Sequence, residues 1–254
     1  TVNKPPTQKF NRIRFVILGA GRPFCGEQHS VLRGTLDHNL VMDWILQSVS
    51  FLNPEIFFIG GYQYEIIAEK YPDINYRINS EWENTGATAS FITAPLDSGF
   101  DYLVSYSDIL FRQELVQKLV SMPFDIAVAV DTRWQERFSN RNHQDLVRCE
   151  KVHVCGDSIT RLGADINPAL ADGEFIGLVL MREPVIHYIQ QNIQTLSIHL
   201  GRSNISDLIE MLRISGMSVG ALDVCGDWAE LNEPQDLVRF VLGTKAASLN
   251  RLQG

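Results

Sequence analysis

The chain has 254 residues, of which 45% are hydrophobic and 20% are charged, and its formal net charge is −8. This length and composition predict one large α/β domain, or two small ones, with a sizeable core. The acidic balance argues against a general nucleic-acid surface or an anionic-membrane surface, so we expect neither kind of partner. Four widely spaced cysteines without a C-x-x-C pair indicate reduced thiols in a cytoplasmic protein, and no apolar run approaches the ~18 residues of a membrane span.

Short apolar, β-branched runs alternate with helical patterns, which predicts an α/β fold with a largely parallel sheet covered by helices. The predicted strands are, in chain order, 15–18, 56–59, 102–105, 126–130, 175–180 and 218–224. The predicted helices are 40–51, 64–71, 87–94, 112–120, 185–194, 206–214 and 234–242. We expect a polar arm at 1–12, one domain at 13–243, and a helical tail at 244–254 that docks on this domain or leads into another.

The first predicted strand runs into a turn of small residues, which are Gly19, Ala20 and Gly21, followed by Arg22. Small residues there let backbone N–H groups approach an anion, and a guanidinium adds positive charge. The turn is not a G-x-G-x-x-G fingerprint, because Pro23 follows, and it lacks the G-K-[ST] ending of a P-loop. A triphosphate cradle and a ligand-free tight connection both remain open from the turn alone.

Two acidic segments offer ligands for a hard cation. The strand predicted at 102–105 delivers Asp108 just beyond its carboxyl end, where open α/β sheets place ligands. Glu230 and Asn232 carry further oxygen ligands just before the helix predicted at 234–242. Mg²⁺ takes one or two carboxylates and fills its other positions with water and phosphate oxygens, so these residues could complete one site. A capping role for Asp108 and a solvated acidic turn near the C-terminus are the alternatives.

These segments, in this order, resemble a known enzyme family. Gly-Ala-Gly-Arg at 19–22, Tyr-Ser-Asp at 106–108 and Trp-Ala-Glu-Leu-Asn-Glu-Pro-Gln-Asp-Leu at 228–237 are similar to motifs of the nucleotidyltransferases that activate sugar phosphates and phosphocholine. The resemblance is closest to the cytidylyltransferases that act on phosphocholine or small phosphonates, and it covers residues 13–243. It implies a Rossmann-like three-layer α/β fold with a mixed, mostly parallel sheet.

The resemblance implies transfer of CMP from CTP to a small phosphonate or a phosphocholine-like phosphate, with Mg²⁺ as cofactor and release of pyrophosphate. Such proteins mainly hold two anions in line and neutralise the developing charge. A sugar-1-phosphate nucleotidyltransferase that uses another nucleotide and a non-catalytic nucleotide-sensing domain are the alternatives. Fusion to another catalytic domain and assembly into a homo-oligomer are both compatible with the resemblance.

Individual residues receive roles from the same resemblance. The catalytic residues that it implies are Arg22, Asp108 and Glu230, and the metal ligands are Asp108, Glu230 and Asn232. The nucleotide-binding residues that it implies are Gly19, Ala20, Gly21, Arg22, Gly61, Thr85, Gly86, Ala87, Thr88, Ser90 and Tyr106.

Two acceptor chemistries predict different pockets. A choline-like cation needs aromatic faces and an acidic partner; the candidates are Trp82, Tyr106, Trp134, Phe138 and Trp228, with Glu174 as the acid. A phosphonate needs cations, and Arg133, Arg137 and Arg141 would share one face if residues 131–143 are helical. Asp131, at the start of this segment, is a further candidate for binding the acceptor. Packed aromatic rings and a solvated arginine face are the alternatives. The arginines favour a small phosphonate as the acceptor.

Two positions depart from the family's pattern. The first motif of the family continues into Pro-Lys, whose lysine meets phosphate, and Ser30 stands at that lysine's place. Either Arg22 or Arg33 supplies the missing charge, or activity is weakened. Asn232 stands where the family has Asp. Because an amide oxygen ligates Mg²⁺ without adding charge, Glu230 becomes the more important metal ligand of this segment.

Overall fold

The computed structural model describes residues 12–23, 28–35, 38–137, 143–231, 237–238 and 240–242, with side chains for all of these except 137 and 143–145. The strands in these ranges are β1 (Arg12–Gly19), β2 (Glu55–Gly60), β3 (Asn75–Ile78), β4 (Phe100–Tyr106), β5 (Ile109–Leu110), β6 (Ile126–Asp131), β7 (Lys151–Cys155), β8 (Ser158–Gly163), β9 (Gly173–Met181), β10 (Val219–Asp223) and β11 (Ala229–Glu230). The α-helices are α1 (Val41–Val49), α2 (Tyr64–Lys70), α3 (Ala87–Ile92), α4 (Gln113–Ser121), α5 (Trp134–Arg137), α6 (His143–Arg148), α7 (Glu183–Gln191), α8 (Ile193–Leu200) and α9 (Ile205–Ile214). Two 3₁₀ turns lie at Ser30–Leu32 and Ser50–Leu52.

Nine of the strands in the described ranges form one mixed sheet in the order β3-β2-β1-β4-β9-β6-β10-β8-β7. The strands β3, β2, β1 and β4 are parallel, and β6 is parallel to β10. Between these two groups β9 runs antiparallel to both β4 and β6. The carboxyl ends of β1, β2, β4, β6 and β10 therefore meet at one edge of the sheet. The predicted α/β fold with a mixed sheet is confirmed.

Two cores, one on each face of the sheet, follow from the side-chain alternation of its strands. In β1, Phe15 and Ile17 point into the core that α1 and α4 cover. Val16 and Leu18 point the opposite way, into the core that α3, α7 and α9 cover. Burial of each such side chain contributes about 1.5–3 kcal/mol, so the central strands hold both helical layers in place.

All six predicted strands and the first six predicted helices are present, with boundaries shifted by a few residues. The helix predicted at 185–194 ends at Gln191, because Asn192 leaves the helical conformation before α8 begins. The helix predicted at 234–242 lies partly outside the described residues, of which 237–238 and 240–242 are helical.

The strands β3, β5, β7, β8 and β11 were not predicted. β7 and β8 form a hairpin in which polar residues such as His153 and Arg161 interrupt the apolar pattern. Its two-residue connection, Gly156 and Asp157, is a recognised hairpin signal that could have revealed both strands. None of the helices in the described ranges is long and apolar enough to span a bilayer.

Candidate functional site

The strand register brings three predicted site segments to one place. In the sheet Gly19 lies opposite Gly60 on one side, and Leu18 lies opposite Tyr106 on the other. The chain leaves β1, β2 and β4 at this same edge. The turn at 19–22, the glycine at Gly61 and the carboxylate of Asp108 therefore emerge side by side.

The turn after β1 is tightly packed towards the sheet and open on its other side. The Phe58 ring packs against Gly19, and a Cβ at Gly61 would lie 2.6 Å from the carbonyl oxygen of Ala20. At Gly21, which is exposed, no atom of the described residues other than its chain neighbours lies within 4 Å of where a Cβ would be. This combination leaves the backbone of the turn accessible to an anion.

Arg22 is exposed beside the same turn. Its guanidinium carbon lies 5.6 Å from the centroid of the Tyr62 ring, and this ring meets Trp82 edge-to-face at 5.9 Å. The Tyr62 N–H donates to the carbonyl oxygen of Ala20 at 2.9 Å, so the aromatic pair is tied to the turn. Arg22 is thus supported beside the open backbone that it was predicted to assist.

His29 joins the 3₁₀ turn at Ser30–Leu32 to the end of β1. Its Nδ1 accepts from the Val31 N–H at 3.3 Å, which leaves the hydrogen on Nε2, 2.8 Å from the carbonyl oxygen of Gly19. Burial lowers the pKa of His29, which favours this neutral form. Ser30, which stands at the position of the family's lysine, is buried.

Asp108 and Glu230 are brought together by the two-stranded ladder of β5 and β11. Glu230 pairs with Ile109, and the Leu231 N–H donates to the carbonyl oxygen of Asp108 at 2.8 Å. Burial, then the charge of Glu230, then that of Glu150 raise the pKa of Asp108 to about 7. Asp108, whose ionisation a neighbouring carboxylate opposes, is suited to share a cation with that neighbour.

The segment that carries Glu230 is anchored on two further sides. The indole Nε1–H of Trp228 donates to Asp131 Oδ2 at 2.8 Å, and Arg33 Nη1 donates to the carbonyl oxygen of Leu231 at 3.0 Å. Asp131 is fully buried and also accepts from the Arg133 N–H at 3.0 Å. Asp131 and Trp228, both predicted to bind acceptor, therefore hold each other and the acidic segment.

The segment from 79 to 90 is organised around a buried amide. Asn79 Nδ2 donates to Thr85 Oγ1 at 2.9 Å and to Ser90 Oγ at 3.0 Å. The hydroxyl of Thr88, which is fully buried, donates to the carbonyl oxygen of Asn204 at 2.7 Å. These contacts give Thr88 a structural role, and the nucleotide-binding role of this segment, which includes Gly86 and Ala87, stays a prediction.

The residues predicted to bind the acceptor differ in how exposed their side chains are. Trp134 and Trp228 are only 1% and 4% exposed, which argues against a stacking role because a choline-like cation needs an open ring face. Arg133 is exposed and pairs with Glu136 at 2.7 Å, whereas Glu174 is buried and lies opposite Asp131 in the sheet. Helix α5 ends at Arg137, whose side chain is not described, while Phe138, Arg141 and Asn232 lie outside the described residues.

Glu150 was not predicted as part of the site. Its Oε1 accepts from the Tyr106 hydroxyl at 2.7 Å, and its Oε2 accepts from the Ser206 N–H at 3.1 Å. Glu150 directly precedes β7, and its partners are distant along the chain. Because Glu150 lies at the amino end of a strand, the rule that ligands bind at carboxyl ends does not single it out in the sequence.

The oxygen donors of Asp108 and Glu230 fit a hard divalent cation such as Mg²⁺. Among the described residues, no group of three or more His, Cys, Asp and Glu side chains could hold a metal ion without further ligands. Two carboxylates are nevertheless the number that Mg²⁺ commonly takes from a protein when phosphate oxygens complete its shell. The pair is therefore suited to a metal that arrives with a phosphorylated ligand.

No protein-family model matches the chain. Among curated proteins, it is similar to the CTP:phosphoglutamine cytidylyltransferase of Campylobacter jejuni subsp. jejuni serotype O:2, with 24% identity over an alignment of 200 positions that covers 72% of this chain and 79% of that protein. Among solved structures, it is similar to the inositol-1-phosphate CTP transferase from T. maritima, with a TM-score of 0.67, 19% identity and coverage of 89% of this chain and 91% of that one.

The CTP:phosphocholine cytidylyltransferase LicC from Streptococcus pneumoniae is a further structural neighbour, with a TM-score of 0.60, 13% identity and coverage of 90% of this chain and 97% of that one. At these identities the structural likeness establishes the fold, and the curated relative adds a likeness in sequence. The comparisons support a nucleotidyltransferase enzyme and confirm the resemblance that the motifs indicated, to the nucleotidyltransferases and among them to the cytidylyltransferases.

Proposed function

We propose that this protein transfers CMP from CTP to a phosphorylated small molecule and releases pyrophosphate. The observation that carries the proposal is the meeting of Asp108 and Glu230 at the sheet edge where the open turn at 19–22 also emerges. The helical layers on both faces of the mixed sheet support a Rossmann-like three-layer fold. The names of the curated relative and of two structural neighbours, all of which use CTP, support the choice of nucleotide.

Each part of the chain has a separate task in this proposal. The backbone N–H groups of the turn at 19–22 and the guanidinium of Arg22 bind the triphosphate. The segment around Thr85 and Ser90 lies against base and ribose. When bound by Asp108 and Glu230, Mg²⁺ neutralises phosphate charge. The protein holds the acceptor oxygen in line with the α-phosphorus while pyrophosphate leaves.

We propose a small phosphonate or phosphate monoester as the acceptor. The burial of Trp134 and Trp228 weighs against a phosphocholine-like cation that would stack on these rings. The exposed Arg133, with Arg137 and Arg141 farther along the same segment, supplies cations for the acceptor's anionic group. The names of the curated relative and of the two neighbours contain three different acceptors, which are phosphoglutamine, inositol 1-phosphate and phosphocholine. The part of the acceptor beyond its phosphate or phosphonate group is therefore identified with a panel of compounds.

The test is pyrophosphate release from each of CTP, UTP, GTP, ATP and dTTP with a panel of phosphonates, phosphate monoesters and sugar 1-phosphates. We expect release with CTP, in the presence of Mg²⁺, and none after chelation with EDTA. Release with another nucleotide and a sugar 1-phosphate would favour a sugar-phosphate nucleotidyltransferase. Nucleotide binding without turnover across the panel would contradict the proposal and favour a non-catalytic sensor.

A further inference from the structure

Tyr106, at the end of β4 and two residues before Asp108, is held by contacts from several elements. Its hydroxyl donates to Glu150 Oε1 at 2.7 Å, and its ring meets the Phe175 ring edge-to-face at 5.9 Å. Gly177 lies beneath the ring with a φ of +91°, and a Cβ there would lie 2.9 Å from Tyr106 Cγ. The pairing of β6 with β9 is irregular at this level, which is how a β-bulge re-aims neighbouring side chains.

Glu150 connects this tyrosine to two other elements. Its second carboxylate oxygen accepts from the N–H of Ser206 at 3.1 Å, in the first turn of α9. Its own carbonyl oxygen accepts from the Phe175 N–H at 2.7 Å, which fixes the backbone of Glu150 against β9. An anion is favoured at the N-terminus of a helix, where free N–H groups and the helix dipole both point at it. The carboxylate of Glu150 therefore ties Tyr106 to the start of α9.

The start of α9 is in turn bonded to the segment proposed to bind the nucleotide. Thr88 donates through its hydroxyl to the carbonyl oxygen of Asn204 at 2.7 Å and through its N–H to that of Ser203 at 3.1 Å. One path of hydrogen bonds thus runs from α3 through the start of α9 and Glu150 to Tyr106. This path ends two residues from one of the two carboxylates that are suited to a cation.

We infer that Glu150 is a positioning residue: by tying Tyr106 to the N-terminus of α9, it fixes the end of β4 so that Asp108 faces Glu230. This inference rests on the proposed function, because it assigns Glu150 a task at the cation site of that reaction. Glu150 itself is not required to touch the metal or the substrate. Groups that orient metal ligands from behind typically change metal affinity or activity 10–100-fold when they are replaced.

Two substitutions alter the hydrogen bond between Tyr106 and Glu150, one at the acceptor and one at the donor. Glu150→Gln retains the shape of the side chain but has one carbonyl oxygen and no charge, so Tyr106 and Ser206 cannot both donate to it and the charge-assisted bond is lost. Tyr106→Phe retains the ring and removes the hydroxyl, and with it both the bond donated to Glu150 and the contact with the backbone N–H of Ile205. Because both changes remove the same contact, the double variant should be little worse than either single variant.

Asp207→Asn is the matched control. Asp207 also caps α9, since its Oδ2 accepts from the Asn204 N–H at 2.9 Å, but this contact does not involve Tyr106. The amide keeps an acceptor oxygen for this bond but removes a negative charge from the N-terminus of the helix, which costs about 0.3–1 kcal/mol of stability. The control therefore weakens the same helix without breaking the connection to β4.

The first measurement is the affinity for Mn²⁺, which electron paramagnetic resonance reports in the presence of a non-hydrolysable CTP analogue. We expect Glu150→Gln and Tyr106→Phe to weaken Mn²⁺ binding by at least about tenfold and Asp207→Asn to leave it unchanged. The second measurement is the Mg²⁺ concentration that gives half-maximal pyrophosphate release. It should rise in the two test variants, and excess Mg²⁺ should restore much of their kcat.

The possible failures are distinguishable. Wild-type Mn²⁺ affinity in either test variant, or an equal loss in Asp207→Asn, would overturn the role of Glu150 while leaving the proposed function intact. A wild-type protein that neither binds Mn²⁺ with the nucleotide analogue nor releases pyrophosphate would overturn the proposed function and this inference with it. If Glu150→Gln does not fold, Tyr106→Phe decides the question, because it removes a single oxygen atom.

Discussion

Asp108 occupies surroundings that favour its neutral form, although a cation requires it to be charged. Burial and the neighbouring Glu230 raise its pKa to about 7. A divalent ion between the two carboxylates would remove that conflict, because it turns their repulsion into shared attraction. A strand end that merely capped a turn would not need a second carboxylate beside it.

We predict that Asp108→Asn lowers the rate of pyrophosphate release by at least about 100-fold without lowering the thermal unfolding midpoint. The amide keeps the shape of the side chain and removes the charge that holds the cation. Asp223→Asn is the control, because Asp223 ends β10 at the same edge and accepts from Thr132 Oγ1 at 2.6 Å. Full activity in Asp108→Asn would remove Asp108 from the mechanism.

Arg141 belongs to the predicted acceptor cations and lies outside the described residues. Replacing it with Ala should raise the KM for the acceptor far more than the KM for CTP, because the lost guanidinium would have met the acceptor's anionic group. Steady-state kinetics with each substrate varied in turn checks this prediction. Equal increases in both KM values would count against the phosphonate-binding role of the arginine segment.

His29 gives the stability of the fold a dependence on pH. Burial lowers its pKa in the folded state, whereas in the unfolded chain the imidazole retains its ordinary pKa of about 6.5. Below that pH the unfolded state binds the proton more readily, so stability falls as the pH falls, by at most about 1.4 kcal/mol per pH unit. Urea unfolding at pH 7.5 and 5.5 should show a smaller difference for His29→Gln than for wild type. An unchanged difference would contradict this assignment.

At the scale of elements, the acidic segment around Glu230 depends on a buried hydrogen bond. Trp228→Phe preserves most of the ring but leaves Asp131 without the indole N–H at 2.8 Å. An unsatisfied buried acceptor costs about 1–3 kcal/mol, so we expect that loss in the free energy of unfolding, together with a lower kcat. Adding Asp131→Asn should cost much less than the sum of the two single changes, because both act on one bond. Additive losses in urea unfolding would argue against this coupling.

The elements differ in how well the sequence predicts them. Apolar runs such as those in β1, β4 and β9 predict strands whether the pairing is parallel or antiparallel. The sequence therefore predicts that β9 exists but does not predict that it runs antiparallel to its neighbours. The strands β7 and β8 form a hairpin that pairs with β9 through β7 and with β10 through β8, and polar residues along it break the apolar pattern that reveals buried strands. Glycine and aspartate at their turn carry the signal instead.

Part of the candidate site can also be predicted from the sequence, because some of its residues lie at the ends of recognisable strands. Gly19, Gly21 and Asp108 follow buried strands directly, so the rule that ligands bind at carboxyl ends locates them. Glu150 follows no such rule, since its partners come from β4 and α9 and only the folded chain brings them together. The burial of Trp134 and Trp228 was equally hidden, because an aromatic residue on a loop looks the same in sequence whether it packs or binds.

At the scale of the whole molecule, nucleotide and metal should stabilise the fold only together. The turn at 19–22 supplies no carboxylate, and Asp108 and Glu230 repel the triphosphate unless a cation lies between them. At 100 times its Kd, the CTP–Mg²⁺ complex should add about 2.7 kcal/mol of stability, which is about 5–10 °C in Tm. A thermal scan with CTP in EDTA, and a scan of Asp108→Asn with CTP and Mg²⁺, should both give much smaller shifts. An equal shift in EDTA would contradict shared binding.

The ladder of β5 and β11 also has a consequence for synthesis. Glu230 reaches Asp108 through the pairing of β11 with β5, and β11 is made long after β5. A nascent polypeptide that has emerged as far as β10 already possesses the glycine turn and the first acidic ligand, yet it lacks the second. Such a chain should be unable to hold the metal at the proposed site until the segment that carries Glu230 has left the ribosome and paired with β5.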